Sequence, residues 1–356
     1  MVKSICIFNH KGGVSKTTTT FNLGWSMATK GKKVLMVDLD AQCNLSGLVL
    51  GFDSLSEDTG LIDFYAKREN LHMGSIVEAL VEGVSPDSFL STNRGDVYET
   101  SQEGLFLLPG NLSVADLDAQ ISVSLKIAMG VPATRNIPGN LPKVLKMVAE
   151  KLGVDYILYD LSPNVGGLNE VVLMSSDYFI VPTSPDFYCW QAIGSLATHI
   201  PRWHEEIRRF KEANKFGADF SIKNQPTFIG AIQQRYRPRN GSAAKSFELW
   251  IERIRNEIKD TLVPKLNELG CAIDLETFQT IVSTSGLQPY DLANIADFNS
   301  LIAMSQKLSK PVFALTDSDI RDSGQFGHAL ETMKDNRNTF NEEFNQLSDK
   351  VIRLTQ

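Results

Sequence analysis

Residues 3–40 read KSICIFNHKGGVSKTTTTFNLGWSMATKGKKVLMVDLD, and this stretch decides the fold. KSICIFN is a short β-rich run, and KTTTTFNLGWSMATKGK has the pattern of a helix closed by Gly31. KVLMVDLD is a second strand of buried character. Together they make one β-loop-α-β unit, the right-handed building block of a parallel sheet.

The loop between strand and helix carries the chemistry. A polyphosphate needs several inward-pointing backbone N–H groups, a helix N-terminus facing it, and a cation that reaches its outer oxygens. Lys11, Gly12, Gly13, Val14, Ser15, Lys16 and Thr17 supply these in order, with Thr18 following on the helix. On this reading Lys16 lies along the β- and γ-phosphates, and Thr17 offers its hydroxyl to Mg²⁺. Asp40 ends the second strand, and Asp160 ends a later one, YILYD; strand C-termini in a parallel sheet converge on the edge that holds the loop. One carboxylate there can hold Mg²⁺ and another can orient an attacking water. Asp38 is a secondary candidate.

The grammar of the opening returns along the chain. VDYILYDLSP (154–163), DYFIVPTSP (177–185) and PTFIGAIQQ (226–234) are apolar runs of strand length, and GLFLLPGN (104–111) and KPVFALT (310–316) read as two more strands. Near-continuous apolar strands are buried on both faces, so the expected architecture is α/β, a doubly wound, mostly parallel sheet flanked by helices. One domain over 1–316 with insertions at about 46–103, 123–142, 201–225 and 240–280 is expected, followed by a helical extension over 317–356. AMGVPATRNIPGNLP (128–142) reads as a loop. RWHEEIRRFKEANKF and AAKSFELWIERIRNEIKDTLVPKLNEL read as amphipathic helices, and Phe340, Phe344, Leu347 and Val351 share one stripe of a C-terminal helix.

Composition bounds the partners. The net charge of −7 argues against a surface made for nucleic acid throughout. The charge is nonetheless uneven. Arg202 to Lys265 holds 14 Lys/Arg and 8 Asp/Glu, leaving 21 and 34 for the rest of the chain. Within it, Arg235, Arg237, Arg239, Lys245, Arg253 and Arg255 form the candidate nucleic-acid footprint. Cys6, Cys43, Cys189 and Cys271 lie far apart and form no C-x-x-C pair, which suggests neither a disulfide framework nor a zinc site. No apolar run approaches a membrane span and no signal-peptide core precedes His10, so a cytoplasmic protein is expected.

KGGVSKTTTTFNLGWSMATKGKKVLMVDLDAQCN resembles the opening of the ParA/MinD family of deviant Walker A ATPases, whose pattern is K-G-G-V-G-K-T-T and then a strand ending D-x-D-P-Q-G-N. YILYDLSP, FLLPGNLSVADLDAQ and SSDYFIVPTSPDFYCWQAIGSL are similar to later segments of that family. The likeness covers residues 3 to about 200, is looser to Leu315, and lapses beyond. It implies ATP and Mg²⁺ as cofactors. It makes Lys11 the signature lysine that crosses to a partner's phosphates in an ATP-sandwiched dimer, and Lys16 the phosphate lysine. It makes Thr17 a metal ligand, Asp40 the carboxylate tied to hydrolysis, and Asp160 the metal-side aspartate. Pro182 and Pro185 stand in matching places, and the base is expected near them and the STSGLQP loop (283–289).

Two departures bear on activity. Ser15 replaces the glycine of the loop, and Ala41 and Cys43 replace the Pro and Gly beside Asp40. A positive φ at Ser15 would cost on the order of 1 kcal/mol, too little to prevent binding of a Mg-triphosphate. The last turns are too acidic for an anionic bilayer, no cluster-binding cysteine pair is present, and the chain starts directly on the first strand. The relatives that remain are partition ATPases, which bind DNA non-specifically as ATP dimers and are released when a ParB-like partner stimulates hydrolysis. The alternative is a slow or non-hydrolysing nucleotide-dependent dimeric scaffold acting through a protein partner.

Overall fold

The computed structural model describes residues 1–51, 70–92, 94–127, 135–213, 222–236, 238–239, 242–243, 245–282, 287–324 and 326–356. The strands are β1 Lys3–Ile7, β2 Val34–Leu39, β3 Tyr98–Glu99, β4 Leu105–Leu108, β5 Tyr156–Leu161, β6 Tyr178–Thr183, β7 Thr227–Tyr236, β8 Pro238–Arg239, β9 Ser242–Ala243 and β10 Asp291–Ala296. Eight of them form one sheet in the order β10-β7-β6-β1-β5-β2-β4-β3, parallel except for the short β3 against β4. β8 and β9 pair antiparallel beside it. β2 and β5 are buried along their whole length, as the unbroken apolar runs require.

The helices are α1 Lys16–Thr29, α2 Asn44–Leu50, α3 Met73–Val81, α4 Pro86–Ser91, α5 Val114–Lys126, α6 Ile137–Leu152, α7 Gly167–Ser175, α8 Phe187–Ala213, α9 Lys245–Glu257, α10 Val263–Glu268, α11 Leu275–Val282, α12 Leu301–Leu308, α13 Asp317–Asp322 and α14 Gly327–Leu354. They cover both faces of the sheet, which is the doubly wound arrangement expected. α14 lies against α1 and β10, with Phe340, Phe344, Leu347 and Val351 buried. Phe344 sits among the rings of Phe298 and Phe313, and Ser26 of α1 donates to the Phe344 carbonyl at 3.1 Å. The C-terminal stripe thus seals the far side of the phosphate-loop helix.

Three expectations are corrected. KPVFALT is not a strand: Pro311 offers no ladder donor, and Val312–Ala314 closes a single 3₁₀ turn. The edge strand is DLANIA, β10. Its polar residues hid it from an apolar-run reading, because Asp291 and Asn294 are both satisfied by Arg255, at 2.6 and 3.2 Å. AMGVPATRNIPGNLP is not loop to its end, since α6 begins at Ile137. Pro138 sits in the first turn, where its missing N–H costs nothing. RWHEEIRRFKEANKF does not stand as a separate helix either; as far as Ala213 it continues α8, which begins at Phe187, and its last three residues lie outside the described ones.

Glu170 on α7 is 4% exposed, and burial, followed by the neighbouring Glu206, pushes its carboxyl up to about 9. Between its ordinary value and about 9 the folded chain binds a proton that the unfolded chain has released, so this contribution falls as pH rises through that window. Glu170→Gln removes the dependence. Its melting temperature is expected to gain on the parent from pH 5 to pH 9, read by thermal melts at both ends. Phe344→Ala is expected to cost about 3–5 kcal/mol in chemical denaturation, since it empties a fully buried ring site.

Candidate functional site

The parallel register sets the site. Ile7 of β1 lies beside Asp160 of β5, and Asp160 lies beside Asp38 of β2, so three strands end level where the loop leaves β1. Asn9 starts the loop. Its side-chain amide donates to the Pro182 carbonyl at 3.0 Å, and its oxygen accepts from the Lys11 amide at 2.9 Å. This ties the loop to β6 before it turns. Gly13 and Ser15 both adopt the left-handed region, at φ 72° and 62°, and Ser15 stands just before α1 without a side-chain capping bond.

The cleft above the loop has a volume of about 500 Å³ and is lined by Gly12, Gly13, Ser15, Lys16, Thr17, Thr18, Asp40, Gln42, Asn44, Leu48, Pro163, Arg235 and Gln306. Lys16 is 7% exposed and donates to the Lys11 carbonyl at 3.2 Å. Burial holds its ammonium below the ordinary lysine range, opposed by the carboxylates of Asp160 and Asp40. Asp160 is displaced the other way, upward, first by burial and then by the facing Asp38. Thr17 lies close enough to favour the Asp160 carboxylate and Thr20 donates to it at 3.5 Å, but Oδ2 of Asp160 is buried and has no hydrogen-bond partner. A buried carboxylate oxygen without a donor, beside a threonine hydroxyl, offers the oxygen ligands a hard divalent cation takes, while the neighbouring lysine suits the phosphate oxygens. The residues present therefore fit a Mg-bound polyphosphate.

Asp38 on β2 and Asp40 just past its end have different surroundings. Asp38 is fully buried and accepts from the Ser46 amide and hydroxyl at 2.8 and 2.6 Å and from the Asp40 amide at 3.2 Å. Burial still pushes its carboxyl up to about 6. It organises the turn into α2, while Asp40 faces the cleft and accepts from the Gln42 amide at 3.0 Å. Cys43 begins α2 at φ 53°. Both residues that depart from glycine in the family pattern thus hold the backbone conformation that glycine favours.

Lys11 is 20% exposed in its side chain and does not lie in the cleft. Its ammonium reaches Asp186 at 3.1 Å and Ser184 at 3.2 Å, both at the end of β6. Val14 is buried in the core, and Pro182 and Pro185 are buried on the Asn9 side of the loop rather than in the cleft lining.

The three basic residues of the candidate footprint whose side chains are described, Arg235, Arg253 and Arg255, stand in different surroundings. Arg235 lines the phosphate cleft, where its guanidinium donates to the Gly13 carbonyl. Arg255 is committed to the internal ion pair with Asp291. Arg253 is exposed and stands over the Trp250 ring at 4.9 Å. Arg237, like residues 283–286 of the STSGLQP loop, lies outside the described residues, as do the side chains of Arg239 and Lys245. Gln306 enters the cleft from α12, some 290 positions after the loop, and no local pattern announces it.

Ser15 offers a direct test of the loop's backbone. At φ 62°, Ser15→Gly is expected to hold or gain up to about 1 kcal/mol of stability, whereas the β-branched Ser15→Val is expected to lose about 1–2 kcal/mol. Denaturant midpoints of the two variants against the parent check this.

Comparison with known proteins agrees with this geometry. A family model described as an AAA domain matches residues 2–212. The sporulation initiation inhibitor protein Soj of Bacillus subtilis is 29% identical over 205 residues, which take in 55% of this chain and 64% of the Bacillus protein. A crystal structure of a Corynebacterium diphtheriae protein shares the fold at a TM-score of 0.64 and 19% identity, covering 99% of both chains. The septum site-determining protein MinD of Pyrococcus horikoshii, solved with Mg-ADP, aligns at a TM-score of 0.51 and 17% identity over 99% of this chain and 96% of that one. No helix among the described residues is long and apolar enough to cross a membrane. With its loop, sheet order and matched residues in hand, the chain belongs to the AAA domain family, as a P-loop NTPase of the ParA/MinD type.

Proposed function

We propose that the protein is a partition-type ATPase. It binds ATP with Mg²⁺ in the cleft, pairs with a second copy in that state, engages DNA without sequence preference, and lets go when a ParB-like partner stimulates hydrolysis. The observation that carries this reading is the meeting of Lys16, Thr17, Asp40 and the donorless oxygen of Asp160 around one glycine-rich loop. Such a protein would work in the cytoplasm, on the nucleoid while ATP-bound.

Each residue has a physical task. The loop N–H groups and the N-terminus of α1 bind phosphate oxygens. Lys16, held by burial at reduced proton affinity, has its ammonium stabilised further when a polyanion arrives. Thr17 and Asp160 would hold Mg²⁺, which when bound neutralises charge on the phosphates. Asp40 lies at the cleft wall, where it can orient a water. Lys11 rests on Asp186 and Ser184 within its own chain, and exchange of those partners for the phosphates of a second copy is the step that dimerisation requires.

The alternative, a nucleotide-dependent scaffold with little or no turnover, is favoured by one observation. Ser15 and Cys43 place side chains at left-handed positions flanking the cleft. Turnover by the parent, Ser15→Gly and Lys16→Ala, with and without non-specific DNA and beside sedimentation in ATP and ADP, separates the two. Slow hydrolysis raised by DNA or a bacterial extract and abolished in Lys16→Ala is expected. ATP-dependent dimers with no turnover, and a gain in Ser15→Gly, would make Ser15 a brake and the scaffold reading correct.

A further inference from the structure

Arg235 stands in a backbone conformation that no local need explains. Along the β7–β10 ladder, Gln234 pairs with Ile295 and Tyr236 with Ala296, so Arg235 is an extra residue without a partner on β10. It is a bulge, and its φ of 61° is in the left-handed region. A bulge re-aims a side chain, and a non-glycine residue held at positive φ stores strain that a surrounding structure must sustain. The neighbours do sustain it. Gln234 donates to Thr19 of α1 at 2.5 Å, and the Tyr236 carbonyl accepts from the Asp297 amide at 3.0 Å. The chain on both sides of the bulge is pinned, and the guanidinium between them is directed onto the phosphate loop.

Its resting place is informative. The guanidinium donates to the carbonyl of Gly13, and among the described residues it forms no ion pair. Gly13 is itself exposed at φ 72°, and a Cβ there would come to 3.4 Å of the guanidinium. Lys16 already occupies this loop as a cation, so a second one gathered here on a neutral acceptor waits for an anion. A planar fork of N–H donors suits a terminal phosphate better than a lone carbonyl does.

We propose that Arg235 is a phosphate-reading residue supplied in cis by the bulged end of β7, which leaves the Gly13 carbonyl for the outermost phosphate and thereby discriminates nucleoside triphosphate from diphosphate. This rests on the nucleotide reading of the cleft. It also removes Arg235 from the DNA footprint and assigns it to the phosphate site, where Lys16 alone does not distinguish the third phosphate.

The test is a pair of affinities, for Mg-ATP and Mg-ADP, measured with fluorescent analogues on the full chain. Arg235→Gly is the informative variant, because glycine accepts φ 61° without strain and keeps the bulge while deleting the fork. Arg235→Lys keeps the charge and loses the bidentate geometry. A charge-assisted hydrogen bond corresponds to about ten- to hundredfold in affinity, so Arg235→Gly is expected to lose about that factor for ATP and less than about threefold for ADP. Arg235→Lys should fall between. Equal losses for both nucleotides, or no loss for either, would overturn the role of Arg235 while the parent's ATP binding upholds the cleft. A parent that binds neither nucleotide would take down the nucleotide reading and this proposal together.

Discussion

Everything at this site depends on one buried ammonium. Lys16 is at the N-terminus of α1 with 7% of its surface exposed, and a lysine is desolvated at that cost only where opposite charge is close. Asp160 and Asp40 supply it, but incompletely: burial lifts Asp160 in the opposite sense, and one of its oxygens has no donor. The charges of the site are thus only partly balanced among its own residues. In the function proposed, a phosphate would bring negative charge to Lys16 and a cation positive charge to Asp160, so the same complex would answer both.

The sheet makes that pairing possible and the outer helices keep it in place. Level registration of β1, β5 and β2 puts Asp38 and Asp160 side by side, a repulsive arrangement that adds to burial in raising Asp160. Ser46 donates twice to Asp38 and ties it to the turn into α2, whereas Asp40 faces the cleft. On the far side, α14 buries its aromatic stripe against α1 and β10. The loop is therefore mounted on a helix clamped between a sheet and a long C-terminal helix, and strain at Ser15, Cys43 and Arg235 is sustained by that mounting.

Much of this was legible in the chain. The opening β-loop-α-β unit, the parallel sheet, the phosphate loop and its two acidic partners follow from apolar runs and from glycines at short spacing, because their determinants are local. The edge strand β10 was not legible, since its Asp and Asn are neutralised by an arginine 36 and 39 positions away. The start of α6 was obscured by prolines whose position in the first turn makes them harmless. That Arg235 lines the cleft was not legible either, because a charge count records sign and not direction.

The sequence by itself determined the loop's chemistry and the class of the fold, since hydrophobic period, glycine placement and the Lys-Thr pair act over a few residues. Tertiary structure alone decided which charges meet. Lys11 turned to Asp186, Arg255 turned inward to Asp291, and Arg235 was bent by a bulge onto Gly13. The physical reason is that an ion pair or hydrogen bond is selected by distance in space, and strand register and backbone dihedrals set that distance only after the whole sheet has formed.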